Sequence, residues 1–280
     1  MIDPRIEQMF TPGLLEEYDI LKIALTYYDE LEASCQKPIS EYVAKNPNQS
    51  DYKVIEAGFG TFITTNNILA AGDKISVYAF DPDIGMFKNA IRTFLEWKNK
   101  SGGFTKVGTN ERDLIDLADS DIDFAKTKCV AYFDRNSFMK VIVFCDKIQD
   151  GLKLYSDGYF DGFASGFMLH NLTPEQRTDI FPYISKVIKS GGFYVNVDKY
   201  AVDDDAKHKE EYNAEIVLLD KLEQNGYPQV KQEWIDHYEK DDTIKFTHAE
   251  QQKLLSDNGF SEPINLFKEL LSETFSATKK

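Results

Sequence analysis

Gly58 and Gly60, separated only by Phe59, follow an apolar run that ends in an acid, Val54-Ile55-Glu56-Ala57. Glycine adopts positive φ readily and lets backbone approach a ligand with no Cβ in between. This spacing therefore suits a strand that turns into a helix against a bound nucleotide. A second apolar run ends at Asp81, about twenty residues on, where a carboxylate can accept hydrogen bonds from ribose hydroxyls. Either a dinucleotide or an adenosyl ligand would use that acid. The dinucleotide fingerprint wants a further glycine where Ile63 stands, which counts against a nicotinamide cofactor.

Later apolar runs also end in polar residues: Val141 to Cys145 leads into Asp146, Gly162 to Leu169 into His170-Asn171, and Phe193 to Val197 into Asp198. Ligands of an open α/β sheet sit beyond the carboxyl ends of its strands, so these residues, with Glu56 and Asp81, are expected on one rim.

The elements that must position them read as follows. Pro12 to Asn46 carries Leu14, Leu15, Tyr18, Leu21, Ala24, Leu25, Tyr28 and Leu31 at three- and four-residue spacings, which predicts an amphipathic helix capping the core. Strands are predicted at Tyr52 to Ala57 and Ile75 to Asp81, with a helix from about Phe62 to Ala71 between them. A helix follows from Met86 to about Lys98, and the stretch from Asn99 to Ser137 is too long for a simple connection and reads as an insertion. The short apolar runs at Val141 to Cys145, Gly162 to Leu169 and Phe193 to Val197 suit buried parallel strands. Thr173-Pro174-Glu175-Gln176 is a capping box opening a helix to about Ile188, and Thr247-His248-Ala249-Glu250 opens another that Gly259 ends. A helix is expected between Asp203 and Gly226, and closing strands at Pro263 to Phe267 and Glu273 to Lys279. The alternation predicts a doubly wound, mostly parallel seven-stranded α/β sheet, Rossmann-like, in one domain spanning 1–280: a helical cap over 1–50, a ligand-binding core over 51–198 with its insertion at about 99–137, and a closing part over 199–280.

Composition narrows the function. A formal charge of −15 repels phosphate backbones and anionic lipid, so nucleic acid is not an expected partner. The three cysteines, Cys35, Cys129 and Cys145, form no CxxC pair, which favours a reducing compartment, and no metal site is expected. The N-terminus lacks the layout of a signal peptide and no apolar run approaches membrane-spanning length, so a cytoplasmic location without membrane insertion is expected.

The residues from Val54 to Thr61 resemble the first motif of class I S-adenosylmethionine-dependent methyltransferases, with Phe62 where many members carry another glycine. Phe80-Asp81-Pro82-Asp83 through Ala90 is similar to their second motif, and Cys145-Asp146-Lys147 to the adenine-binding acid after the third strand. Gly158 to Leu172 looks like the fourth-strand motif, and Ile188-Lys189-Ser190-Gly191-Gly192-Phe193 like the turn before the fifth strand, with Ser190 in place of a proline. The tail from Trp234 to Lys279 resembles the end of small-molecule and quinone-biosynthesis-type members.

The resemblance implies methyl transfer from S-adenosyl-L-methionine, with S-adenosyl-L-homocysteine as product, to a small-molecule acceptor. It implies a donor site made by Glu56, Ala57, Gly58, Gly60, Asp81, Pro82, Asp146, Lys147, Ile148 and Ser165, with Glu56 on the ammonium, Asp81 on ribose and Asp146 on adenine. His170 is the candidate base or positioning group, and Tyr18, Tyr28, Trp234 and His237 are candidates for the acceptor side. A tRNA-modifying adenosyl enzyme and a non-catalytic adenosyl-binding protein are the alternatives. The first is disfavoured by charge, and turnover separates the second.

Overall fold

The structure is a computed structural model and describes residues 20–83, 85–87, 105–106, 129–136, 139–145 and 147–280. The strands are β1 (Tyr52–Ala57), β2 (Ile75–Asp81), β3 (Thr105–Lys106), β4 (Cys129–Asn136), β5 (Met139–Cys145), β6 (Phe160–Gly166), β7 (Ile188–Lys199), β8 (Ile264–Glu269) and β9 (Ser272–Thr278). Among the described residues they form one sheet in the order β3-β4-β5-β2-β1-β6-β7-β9-β8. The run β5-β2-β1-β6-β7 is parallel, and β9 and β8 close it antiparallel. The seven strands expected from the sequence are present. The insertion adds β4, antiparallel to β5, and β3 beyond it at the edge.

The helices are α1 (Leu21–Ala24), α2 (Tyr28–Ala33), α3 (Gln36–Lys45), α4 (Ile63–Ala70), α5 (Ile148–Leu152), α6 (Pro174–Val187), α7 (Asp205–Leu218), α8 (Asp220–Gln224), α9 (Pro228–Asp241) and α10 (His248–Asp257). Alternate residues of each central strand face opposite layers. Val54, Val77, Val143 and Val195 pack with Ile39 of α3 and Ile68 of α4, and Ile55, Phe80, Phe163 and Tyr194 pack with Ile180 of α6 and Leu255 of α10. Burial on both faces is why these strands read as continuous apolar runs. A third cluster joins Leu21, Leu25 and Tyr28 of the cap to Leu219, Leu222, Val230, Trp234 and Tyr238. No helix among the described residues is long and apolar enough to cross a membrane.

Three local readings change. The cap, expected as one amphipathic helix, is broken over its described part into α1, α2 and α3. Pro38 sits in the first turn of α3, where it needs no intrahelical N–H, and its ring would clash with a helical carbonyl from the preceding turn, so α2 ends before it. The fourth strand ends at Gly166 rather than Leu169, because Phe167 takes a left-handed φ of 48° and turns the chain into a 3₁₀ turn at Leu169–Asn171. The Thr247 cap is half a box: its hydroxyl accepts from the Glu250 N–H at 3.2 Å, while the Glu250 carboxylate is held by Arg177. At Thr173 the box is complete. The predicted helix from Met86 is seen as helical residues 85–87, and the rest of it lies outside the described residues, as do Tyr18, Asp146 and most of the insertion.

One buried acid docks the cap. Asp161 on β6 accepts from Tyr42 Oη at 2.8 Å, Gln49 Nε2 at 2.7 Å, the Lys53 N–H at 2.7 Å and Lys189 Nζ at 2.6 Å. With every oxygen satisfied, a buried carboxylate can hold α3 against the sheet without an unpaired charge.

Candidate functional site

The chain leaves β1 toward β2 on one side and returns to β6 on the other, so the switch point of the sheet lies at the carboxyl end of β1. There the Gly58 N–H donates to the Phe80 carbonyl at 2.8 Å and ties the ends of β1 and β2 together. Gly58 has φ 71°, and a Cβ on it would stand 2.6 Å from Met168 Cγ, so this glycine is required both by backbone and by space. Phe62 repeats the left-handed conformation at φ 67° and opens α4. The third glycine-like position of the turn thus keeps the glycine backbone with a phenylalanine side chain. Full burial and stacking on Phe59, with ring centroids 5.3 Å apart, oppose the strain.

A cavity of about 360 Å3 opens over this turn. Gly58, Gly60, Asp81, Pro82, Lys147 and Ile148 line it, as does Tyr28, which the sequence put on the acceptor side, together with Met86, Gln149, Phe167, Asn171 and Glu32. Asp81 accepts from the Asp83 N–H at 2.9 Å and the Gly60 N–H at 3.4 Å, which aims its carboxylate across the turn. Glu56, Ala57 and Ser165 do not line the cavity. Ser165 Oγ donates to the Ala57 carbonyl at 3.2 Å, and Glu56 is fully buried, accepting from Thr65 Oγ1 at 2.6 Å, with its Oε1 receiving no hydrogen bond. Glu32, from the cap, takes the lining place, accepting from Thr64 Oγ1 at 3.0 Å. No spacing rule connects residue 32 to the glycine turn; only its burial on the inner face of α2 marks it.

Burial raises the pKa of Glu32 to about 7, of Glu56 to about 8 and of Asp81 to about 7, and the Glu32 and Asp81 charges add to the effect on Glu56. Each value lies above that of the unfolded chain, so the native protein binds more protons than the unfolded one between about pH 4.5 and 8, and stability falls as pH rises through that window. Scanning calorimetry across this range is expected to show a falling melting temperature, and Glu56→Gln to lessen the loss of unfolding free energy by on the order of a few kcal/mol. A variant as pH-sensitive as the parent would remove Glu56 from this account. Glu32 and Asp81 line the cavity with Glu56 buried close by, an arrangement suited to a ligand that brings a cation.

A second, much smaller chamber of about 20 Å3 shares Phe167 and Asn171 with the cavity, and His170, Lys199, Trp234, His237, Tyr238 and Asp241 are among its other lining residues. Phe167 stacks on Tyr28 with centroids 5.4 Å apart, so cap and turn together stand between the two spaces. His170, expected at a strand end, sits instead in the 3₁₀ turn, where its Nδ1 hydrogen-bonds Asp198 Oδ1 at 2.5 Å and leaves Nε2 toward the chamber. Asp198 is fixed in turn by the Asn196 amide at 2.9 Å and the Lys199 N–H at 3.0 Å. Burial pulls the His170 pKa down, but the Asp198 and Asp241 carboxylates outweigh it and raise it above the ordinary value. Trp234 and His237 meet edge to face at 5.4 Å on α9. The sequence reading assigned no role to Asp241 or Lys199. The signal was available in the spacing of His237 and Asp241, which share a face of the helix opened by Pro228.

No protein-family model and no curated protein matches the sequence. Solved structures do. An O-methyltransferase family protein from Burkholderia thailandensis has a TM-score of 0.55 at 10% identity, over 95% of this chain and 59% of that one. The CurJ carbon methyltransferase follows at TM-score 0.49 and 12% identity over 84% and 50%, and a geranyl diphosphate methyltransferase at 0.48 and 10% over 89% and 85%. The chain spans about three fifths of the first of these proteins and half of the second. At such identity the likeness to the Burkholderia protein establishes a common fold, the Rossmann-like α/β fold of methyltransferases.

Proposed function

We propose that this chain transfers a methyl group from S-adenosylmethionine to a small-molecule acceptor. The observation that carries the reading is the cavity over the glycine turn, where Gly58, Gly60 and Asp81 meet the buried acid Glu32. Asp81 would hold the ribose hydroxyls, Glu32 the ammonium with Glu56 behind it, and Lys147 and Ile148 the edge of the adenine, next to Asp146 in sequence. When bound, the sulfonium supplies a methyl carbon already activated for in-line displacement. What remains for the protein is alignment and exclusion of water. Tyr28 and Phe167 close the wall between cavity and chamber, and His170 presents Nε2 to the acceptor side from a ring whose orientation Asp198 sets.

S-adenosylhomocysteine at about a hundred times its dissociation constant is expected to stabilise the protein by about 2.7 kcal/mol, a melting shift of roughly 5–10 °C, and NAD to leave it unchanged. Thermal denaturation with each ligand checks this. Millimolar S-adenosylhomocysteine without a shift, and without heat of binding, would sink the donor assignment.

A further inference from the structure

We propose that His170, His237 and Asp241 form a binding site for a divalent transition-metal ion with the coordination habits of zinc. One ligand atom from each lies within 4.8 Å of the others, and all three residues are buried. Asp241 Oδ2 is 3.7 Å from His170 Nε2 and 3.6 Å from His237 Nε2, too long for hydrogen bonds. An ion about 2.0–2.2 Å from each ligand holds such atoms roughly 3.4 Å apart, so the two Asp241 pairs need to close by only a few tenths of an ångström, while the two histidine nitrogens, within 4.8 Å of each other, draw together further. Both Asp241 oxygens are buried and accept no hydrogen bond, an arrangement costly for a carboxylate unless a cation meets it.

The surroundings agree with this site. Asp198 occupies Nδ1 of His170, which fixes the tautomer and directs the lone pair of Nε2 at the cluster, the arrangement by which carboxylates orient metal-binding histidines. His237 and Asp241 project from the same face of α9. Lys199, the buried lysine nearby, pairs with Glu215 at 3.4 Å and lies over the Tyr238 ring at 2.9 Å from its centroid. Lys199 also lies in the field of Asp241, and Asp198 and Asp241 together bring two negative charges to the cluster. Imidazole and carboxylate donors without a thiolate suit zinc, cobalt or iron(II).

Three protein ligands leave a coordination position open, and the chamber borders it. At about 20 Å3 the chamber has room for a water molecule in that position. With an ion in place, His170 acts by holding the ion and not as a free base.

The test uses the full chain, stripped with chelator and titrated with zinc(II) by calorimetry and cobalt(II) by visible absorption. One equivalent is expected to bind with a dissociation constant below about 100 µM, and Asp241→Asn and His237→Gln each to weaken binding at least about tenfold. The chain has four histidines, so imidazole nitrogen NMR of the unmutated protein gives a reading that does not depend on variants folding. Zinc is expected to shift the His170 and His237 rings and leave His208 and His248 unchanged. Absence of binding, perturbation of His208 or His248 instead, or full affinity in folded variants would overturn the site. S-adenosylhomocysteine binding measured on the stripped protein separates this outcome from failure of the donor assignment.

Discussion

Replacing Arg177 with leucine is expected to cost about 3–5 kcal/mol, because the guanidinium is fully buried and its removal leaves a cluster of groups without partners. Arg177 Nε and Nη2 donate to the Glu250 carboxylate at 2.7 and 2.9 Å. Nη2 also donates to the Ile244 and Lys245 carbonyls at 3.1 and 2.8 Å, and Nη1 to those of Leu172 and Leu169 at 2.5 and 3.4 Å. One side chain on α6 thereby binds the turn that carries His170 to the segment that precedes α10. A melting temperature lower by roughly 6–20 °C follows for a chain of this size. Arg177→Lys is expected to rescue little, since an ammonium cannot reproduce the planar fork. Removing Glu250 as well, in Arg177→Leu/Glu250→Leu, is expected to recover only part of the loss, because the orphaned carbonyls remain. Denaturant unfolding measures all three, and a loss below about 1 kcal/mol for Arg177→Leu would refute the account.

Asp81→Ala is expected to weaken S-adenosylhomocysteine binding by about 1.5–3 kcal/mol, or roughly 10- to 100-fold, the value of a hydrogen bond to a charged group. The carboxylate is aimed across the glycine turn by two backbone N–H donors, so the variant loses both a ligand contact and a strut of the turn. Asp81→Asn keeps an acceptor oxygen and is expected to lose less. Titration calorimetry of the three proteins decides the matter, with unchanged affinity in Asp81→Ala removing this residue from the site. A drop in melting temperature without a drop in affinity would assign Asp81 to the turn alone.

Much of the cavity over the glycine turn was legible because its signals are local. A strand, a turn that needs left-handed backbone and a following helix occupy adjacent residues, and Gly58, Gly60 and Asp81 carry them in plain view. Phe62 shows the limit of that reading. Its side chain departs from the family pattern while its backbone does not, and only packing against Phe59 reveals that the conformation persists. Thr173 and Thr247 make the same point: the capping signals Thr-Pro-Glu-Gln and Thr-His-Ala-Glu end differently because Arg177 claims the Glu250 side chain.

Order and type of the strands and the position of the glycine turn with Asp81 opposite it were determined by the sequence alone, since periodicity, capping and turn chemistry act over a few residues. The tertiary structure decided what those residues meet. It brought Glu32 of the cap to the cavity in the place expected of Glu56, turned His170 off its strand onto Asp198, and set His237 and Asp241 of α9 opposite it. These partners lie far apart in the chain, and what joins them is burial of the cap and α9 over the ends of the parallel strands. That burial depends on the packing of whole faces and leaves no mark at a fixed spacing.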